Sequence, residues 1–214
     1  MYVKHLVCLF LMLLSGPVWA GDDCLPYKLT PRIDLKNPTW SKEVVQPLRH
    51  MDLLHGNVVA TMVDNYDIVA DITNIEDGYC VALKSVYAVV GYSNFLVQID
   101  IRHQPNTCSY NAILSHEDEH IRAYLSVMDD FKKELQDSIY SAADSITPIF
   151  VRSASDIDAA ITELNAELQA HPDLILVKQK IKAAEEIRNK RVDQHDTGET
   201  LRACFELFFH FLLI

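Results

Sequence analysis

Two histidines four residues apart, with a glutamate beside the first, are the residues of this chain best suited to chemistry. They are His116, Glu117 and His120. One turn of helix separates positions i and i+4, so both imidazoles would lie on one helix face. Two imidazoles placed in this way can bind a single Zn²⁺. The neighbouring carboxylate can act as general base toward a water at that metal. The pattern therefore predicts a metal-assisted hydrolytic site.

The identity of the base stays open on spacing alone. The same two histidines also fit the reversed pattern, in which Glu119 replaces Glu117 as the acidic residue. A competing interpretation is a solvated acidic helix face at residues 117–119 with two incidental histidines. Apolar residues at near-helical spacing favour a packed helix around the motif; they are Ile113, Leu114, Ile121, Leu125 and Met128.

A catalytic zinc usually has a third protein ligand, and residues 192–204 contain the densest group of candidates. We expect His195 to be this ligand, with Asp193, Asp196 and Glu199 as the alternatives. A structural interpretation competes here. Asp196 and Glu199 have the spacing of a capping box, which would open a short helix.

Other polar residues have weaker claims to a role in the site. Tyr124 follows His120 by one turn of helix, so it is a candidate for stabilising an oxyanion. His50 and His55 precede the strand-rich region, and we interpret them as surface or supporting histidines rather than metal ligands.

The two ends of the chain differ in composition from the middle. Lys4 and His5 precede an apolar run, and the segment 1–20 ends in Ala20, which is typical of a cleaved secretory signal. We therefore predict an exported protein, periplasmic or secreted, with a single domain at residues 21–204. The apolar tail 205–214 is too short to span a bilayer. It packs on the body of the protein, contacts a partner or membrane of the cell envelope, or reflects a truncated reading frame.

Charge and cysteine content limit the classes of function. The formal net charge is −11, and an acidic protein repels nucleic acid, so we expect no nucleic-acid partner. Four cysteines lie outside the predicted signal, and an even number in an exported chain favours two disulfides. Three connectivities are open, of which we favour Cys80–Cys108 with Cys24–Cys204.

The apolar pattern predicts an α+β fold, with a strand-rich region at 57–103 and a helical region at 109–191. Glu76, Asp77 and Gly78 form a strong turn signal. We expect further turns at 64–65 and 91–94, so that the strands form a small, mostly antiparallel, twisted sheet.

The remaining elements are expected to flank this sheet. We predict one edge strand within 24–38 and a short helix within 40–54. The long helix carrying the motif is expected at about 109–142. A second helical tract follows residues 153–156, with a break at 171–173 that is marked by Pro172. The helices would form a layer covering the sheet.

Residues 116–120, with the sequence HEDEH, resemble the signature of zincin metalloproteases. A sheet leading to Cys108, and then to the signature helix, is similar to a group of bacterial exported proteins described as predicted secreted zinc-dependent proteases. The resemblance implies zinc at His116 and His120, Glu117 as the base, and a peptide or protein substrate. The third histidine of the metzincin subgroup is absent, since Ser126 stands at its position.

Two other functions remain open on the sequence. One is a non-catalytic exported binding protein of the cell envelope, in which the zincin site is degenerate. The other is a periplasmic metal carrier, although the chain lacks the histidine-rich tract typical of such proteins. The content of zinc and the presence of turnover would distinguish the three.

Overall fold

One long strand pairs with each of the other strands in the part of the chain that the structure describes. In the computed structural model, which describes residues 22–47, 55–194 and 204, the strands are β1 (Arg32–Lys36), β2 (Ser41–Val45), β3 (Gly56–Ile75), β4 (Gly78–Ile99) and β5 (Ile149–Val151). The α-helices are α1 (Cys108–Ser145), α2 (Ile157–Ala170) and α3 (Pro172–Gln194). Short 3₁₀ turns lie at Asp22–Tyr27 and Ala154–Asp156. The predicted signal and the apolar tail lie outside the described residues.

The sheet is mixed, and the prediction of a mostly antiparallel sheet is wrong. β1 and β2 both pair with β4 in the parallel direction. β3 runs antiparallel along the whole of β4, so β1, β2 and β5 lie along the opposite edge of β4. The path β1-β4-β2 is therefore wholly parallel. The prediction failed because it followed hairpins between neighbouring segments, whereas β1 and β2 reach β4 across long connections.

Two predicted turns are absent from the strand-rich region. β3 continues through residues 64–65 and β4 continues through residues 91–94. The register shift between Thr61 and Met62 passes over Ser93, within the predicted 91–94 turn, whereas residues 64–65 pair regularly with Val89 and Val90. A second register shift, between Val69 and Ala70, corresponds to no predicted turn. Gly91 adopts a φ of 143° in β4, a conformation that glycine tolerates best. The turn between β3 and β4, at residues 76–77, is confirmed.

The helices match the predicted pattern more closely. α1 begins one residue before and ends three residues after the predicted span, and the break before Pro172 separates α2 from α3 as expected. The predicted helix within 40–54 is wrong where the structure describes it, because residues 41–45 form β2. Pairing with β4 gives this segment backbone partners that a short, proline-limited helix would lack.

The core lies between the sheet and the helices. Its largest fully buried side chains come from β4, α1, α2 and α3; among them are Phe95, Ile99, Ile113, Leu135, Leu164 and Ile181. No helix among the described residues is both long and apolar enough to cross a membrane.

The disulfides differ from the favoured pairing. Cys24 is bonded to Cys80, with a Cα–Cα distance of 5.5 Å, and Cys108 is bonded to Cys204, with 5.6 Å. The first bond attaches the amino-terminal 3₁₀ turn to β4. The second attaches the first residue of α1 to the chain that follows α3. Two disulfides of this kind persist in an oxidising compartment.

Candidate functional site

The helix that carries the motif begins at a defined cap. Thr107 precedes α1, and its hydroxyl oxygen accepts a hydrogen bond from the Tyr110 backbone N–H at 3.2 Å. Ile113, Glu117 and Ile121 follow at four-residue intervals and are all buried. Four-residue spacing places them on one face, which packs into the protein. Glu117 is thus the acidic member of a stripe that is otherwise apolar.

His116, His120 and Asp193 bring three ligand atoms together. The Nε2 atoms of the two histidines are 3.2 Å apart. Asp193, near the end of α3, places Oδ1 at 3.1 Å from Nε2 of His120 and at 3.7 Å from Nε2 of His116. Burial, and then the neighbouring His120 ring, lower the pKa of His116. A neutral imidazole is the form that binds a metal.

These distances fit a zinc ion. Zinc binds imidazole nitrogen at about 2.0–2.1 Å in tetrahedral geometry, which separates neighbouring ligand atoms by about 3.3 Å. The three separations of 3.1, 3.2 and 3.7 Å are close to that value. Three ligands from the protein leave one position for water or substrate, as in catalytic zinc sites. Histidine and carboxylate ligands also suit zinc chemically.

Two antiparallel helices create this arrangement by facing each other with matched spacing. On α1, His116, His120 and Tyr124 follow at four-residue intervals, and on α3, Glu185, Asn189 and Asp193 do the same. His120 Nδ1 lies 2.8 Å from the Asn189 side-chain oxygen. The Tyr92 hydroxyl of β4 donates to the Glu185 carboxylate, which ties α3 to the sheet.

Glu117 is the buried carboxylate of the site. Its residue is only 4% exposed, and burial raises the pKa of Glu117 to about 7. The side chain lies against the start of β3, since a Cβ atom at Gly56 would be 2.2 Å from its Oε1. Glu119 lies on the exposed side of α1, where it forms an ion pair with Arg122 at 3.6 Å. Of the two candidate bases, Glu117 is the one that lines the same cavity as His116 and His120.

A cavity of about 400 Å³ connects these groups. It is lined by side chains of α1 and α3 and by the chain entering β3; the lining residues are His55, Gly56, Asn57, Val58, Ile113, His116, Glu117, His120, Tyr124, Asn189 and Asp193. Burial raises the pKa of Tyr124, so its phenol stays protonated and can donate a hydrogen bond. Tyr124, the candidate oxyanion donor named from the sequence, therefore lines the cavity.

A second pair of histidines flanks the cavity. His55 Nδ1 lies 2.9 Å from Nε2 of His103. His103 is buried, and burial together with the His55 ring lowers its pKa. The neutral His103 ring can therefore fix the orientation of His55, which lines the cavity itself. From the sequence, His55 was expected to be a surface or supporting residue, and no local spacing connects it with His103.

The structure brings four of the predicted site residues to one cavity: His116, Glu117, His120 and Tyr124. Asp193, one of the alternative third ligands, joins them. His195, Asp196 and Glu199 lie outside the described residues.

Gly56 and Asn189 were not predicted from the sequence as residues of the site. The four-residue spacing of Glu185, Asn189 and Asp193 was a signal for α3, but it acquires meaning only once α3 lies against α1.

The chain matches no family model, no curated protein and no solved structure.

Proposed function

We propose that the protein is an exported zinc-dependent metallopeptidase. His116, His120 and Asp193 hold the metal, and Glu117 is the general base. The observation that carries this proposal is the triangle of three ligand atoms beside a buried carboxylate in a single cavity. Hydrolysis requires that the reacting groups be held in place, and here rigid helices carry both the proposed ligands and the base.

The chemistry divides between the metal and the side chains. Zinc, when bound, supplies a Lewis acid that acidifies water and polarises a carbonyl group. Glu117 takes a proton from the attacking water as the water oxygen bonds to the peptide carbonyl carbon. It then delivers this proton to the nitrogen that leaves as the C–N bond breaks. Tyr124 and His55 line the same cavity and can donate hydrogen bonds to the developing oxyanion.

A peptide substrate is supported by the strand that borders the cavity. Gly56, Asn57 and Val58 open β3 and line the cavity. β3 pairs only with β4 among the described residues, so backbone N–H and C=O groups along its outer edge can pair with a substrate. An extended peptide can pair with such an edge, which would place its backbone beside Glu117 and the metal ligands.

Export is supported by two features. The disulfides Cys24–Cys80 and Cys108–Cys204 suit an oxidising compartment. The sequence of residues 1–20 is typical of a cleaved secretory signal. Together these features support a periplasmic or secreted location.

The test is the metal content of the purified mature protein, measured by elemental analysis. We expect about one zinc per chain in the wild type and none in a His116→Ala/His120→Ala double variant. Absence of zinc from the wild type after reconstitution would contradict the proposal. Stoichiometric zinc without hydrolysis of any peptide would favour the non-catalytic binding protein or the metal carrier instead.

A further inference from the structure

Asn189 has two hydrogen-bonding contacts that fix its amide group. Its Nδ2 donates to the Glu185 backbone carbonyl at 2.9 Å, and its Oδ1 lies 2.8 Å from His120 Nδ1. A carbonyl oxygen can only accept, so the Glu185 carbonyl decides which end of the amide faces α3. The amide oxygen is thereby presented to His120.

The orientation of Asn189 has a consequence for His120. An amide oxygen can only accept, so Nδ1 of His120 must be the donor in this contact. In a neutral imidazole a proton on Nδ1 leaves Nε2 with its lone pair. Nε2 is the atom that faces His116 and Asp193 at 3.2 and 3.1 Å.

We propose that Asn189 is a positioning residue that holds His120 with its proton on Nδ1 and its Nε2 lone pair directed at the metal. Partners of this kind fix both the tautomer and the orientation of a ligating imidazole. The part of this inference that concerns metal affinity rests on the proposed function. The part that concerns the hydrogen bond to His120 does not.

The support for Asn189 extends to the sheet. Glu185, whose carbonyl orients Asn189, accepts a hydrogen bond from the Tyr92 hydroxyl through its own carboxylate. Tyr92 belongs to β4 and is buried. The turn of α3 from Glu185 to Asn189 is therefore attached to β4 at Glu185 and contacts the His120 ring at Asn189.

The experiment compares Asn189→Leu with Asn189→Asp. Leucine has a similar shape but no acceptor, whereas aspartate loses the donor to the Glu185 carbonyl but keeps an oxygen that can accept a hydrogen bond from His120. Gln179→Leu is the matched control, because Gln179 is an exposed amide residue on the same helix. Zinc affinity is measured by competition with a chromophoric chelator. The His120 ring is observed by ¹H–¹⁵N NMR of the metal-free protein at a pH where the ring is neutral, because only the neutral ring shows which nitrogen carries the proton.

We expect Asn189→Leu to weaken zinc binding by about 10- to 100-fold. Asn189→Asp and Gln179→Leu should bind zinc at least as tightly as the wild type. The Nδ1–H proton of His120 should exchange slowly with water in the wild type and in Asn189→Asp, and rapidly in Asn189→Leu. A purely structural role for Asn189 would not produce this spectroscopic difference.

Two results would overturn the inference. One is unchanged zinc affinity in Asn189→Leu, and the other is an unprotected Nδ1–H in the wild type. If the wild type binds no zinc, the proposed function fails, but the NMR measurement still decides whether Asn189 holds His120. A protected Nδ1–H would then support the positioning role, and an unprotected one would contradict it.

Discussion

Gly56 and Glu117 are so close that neither position is independent of the other. A Cβ atom at Gly56 would lie 2.2 Å from Oε1 of Glu117 and 2.6 Å from Cγ2 of Ile113. Contacts this short cannot exist without a shift of one partner. The absence of a side chain at the first residue of β3 is therefore what allows a carboxylate to lie between the sheet and α1.

Substitution of Gly56 by alanine should displace Glu117. We expect turnover to fall by about 100-fold, because a misplacement of about 1 Å in a catalytic group costs that much. Zinc affinity should change little, since the atoms nearest to the added Cβ belong to Glu117 and Ile113 and not to the proposed metal ligands. Steady-state kinetics beside a zinc titration would check this, and full activity in Gly56→Ala would contradict it.

Glu117 should make the stability of the metal-free protein depend on pH. Its pKa is raised by burial from 4.5 to about 7. The unfolded chain therefore loses this proton first as the pH rises. The contribution of Glu117 to the free energy of unfolding is fully present below about pH 4.5. It decreases as the pH rises to about 7 and does not change above that pH.

The matched variant for this effect is Glu117→Gln, which cannot ionise. Relative to the wild type, it should gain at most about 3 kcal/mol in free energy of unfolding between pH 4.5 and pH 8. Urea unfolding in the presence of a chelator measures the difference at each pH. A difference that does not change with pH would show that Glu117 is not held in a desolvated environment.

Asp193 and His195 compete for the role of third ligand, and substitution separates them. We expect Asp193→Asn to weaken zinc binding by about 100-fold or more, because a ligand is lost. His195→Ala should leave the affinity within about threefold of the wild type, a change of less than 1 kcal/mol. The reverse result, measured by chelator competition, would assign the third ligand to His195, as the sequence alone suggested.

The disulfide Cys108–Cys204 should matter to metal binding as well as to stability. It joins the first residue of α1, the helix that carries His116 and His120, to the chain that follows Asp193. It closes a loop with a sequence separation of 96 residues. Loss of a cross-link of this length lowers the free energy of unfolding by up to about 5 kcal/mol. We expect Cys108→Ser/Cys204→Ser also to weaken zinc binding.

Cys24→Ser/Cys80→Ser is the control for this prediction. It removes a disulfide that lies away from the cavity, so it should lower the melting temperature while leaving zinc affinity unchanged. Equal loss of zinc affinity in both double variants would mean that general destabilisation, and not the link to α1, explains the effect.

The sequence predicted the helices better than the sheet for a physical reason. The apolar spacing along α1 is local, and it decides both that residues 108–145 are helical and which face is buried. Strand pairing is not local. The residues of β1 and β2 do not by themselves predict parallel pairing with β4, because this pairing depends on segments about fifty residues away.

The candidate site, like the fold, was predictable only where it depends on local spacing. His116, Glu117 and His120 lie within one turn of helix, so their spacing alone predicted their common location. Asp193 could be named only as one of several acidic residues, since its approach depends on how α3 docks against α1. The disulfide pairing was wrong for a similar reason, because Cys24 and Cys80 meet only through the packing of the 3₁₀ turn on β4.

The most direct test of the central claim is peptide hydrolysis by the zinc-loaded protein, with Glu117→Gln as the matched control. Both proteins would be loaded with one zinc and incubated with a mixture of unfolded polypeptides, and newly formed amino termini would be counted by mass spectrometry. We predict new termini with the wild type and a loss of at least about 100-fold in Glu117→Gln. No cleavage by the fully loaded wild type, or equal cleavage by the variant, would contradict the account.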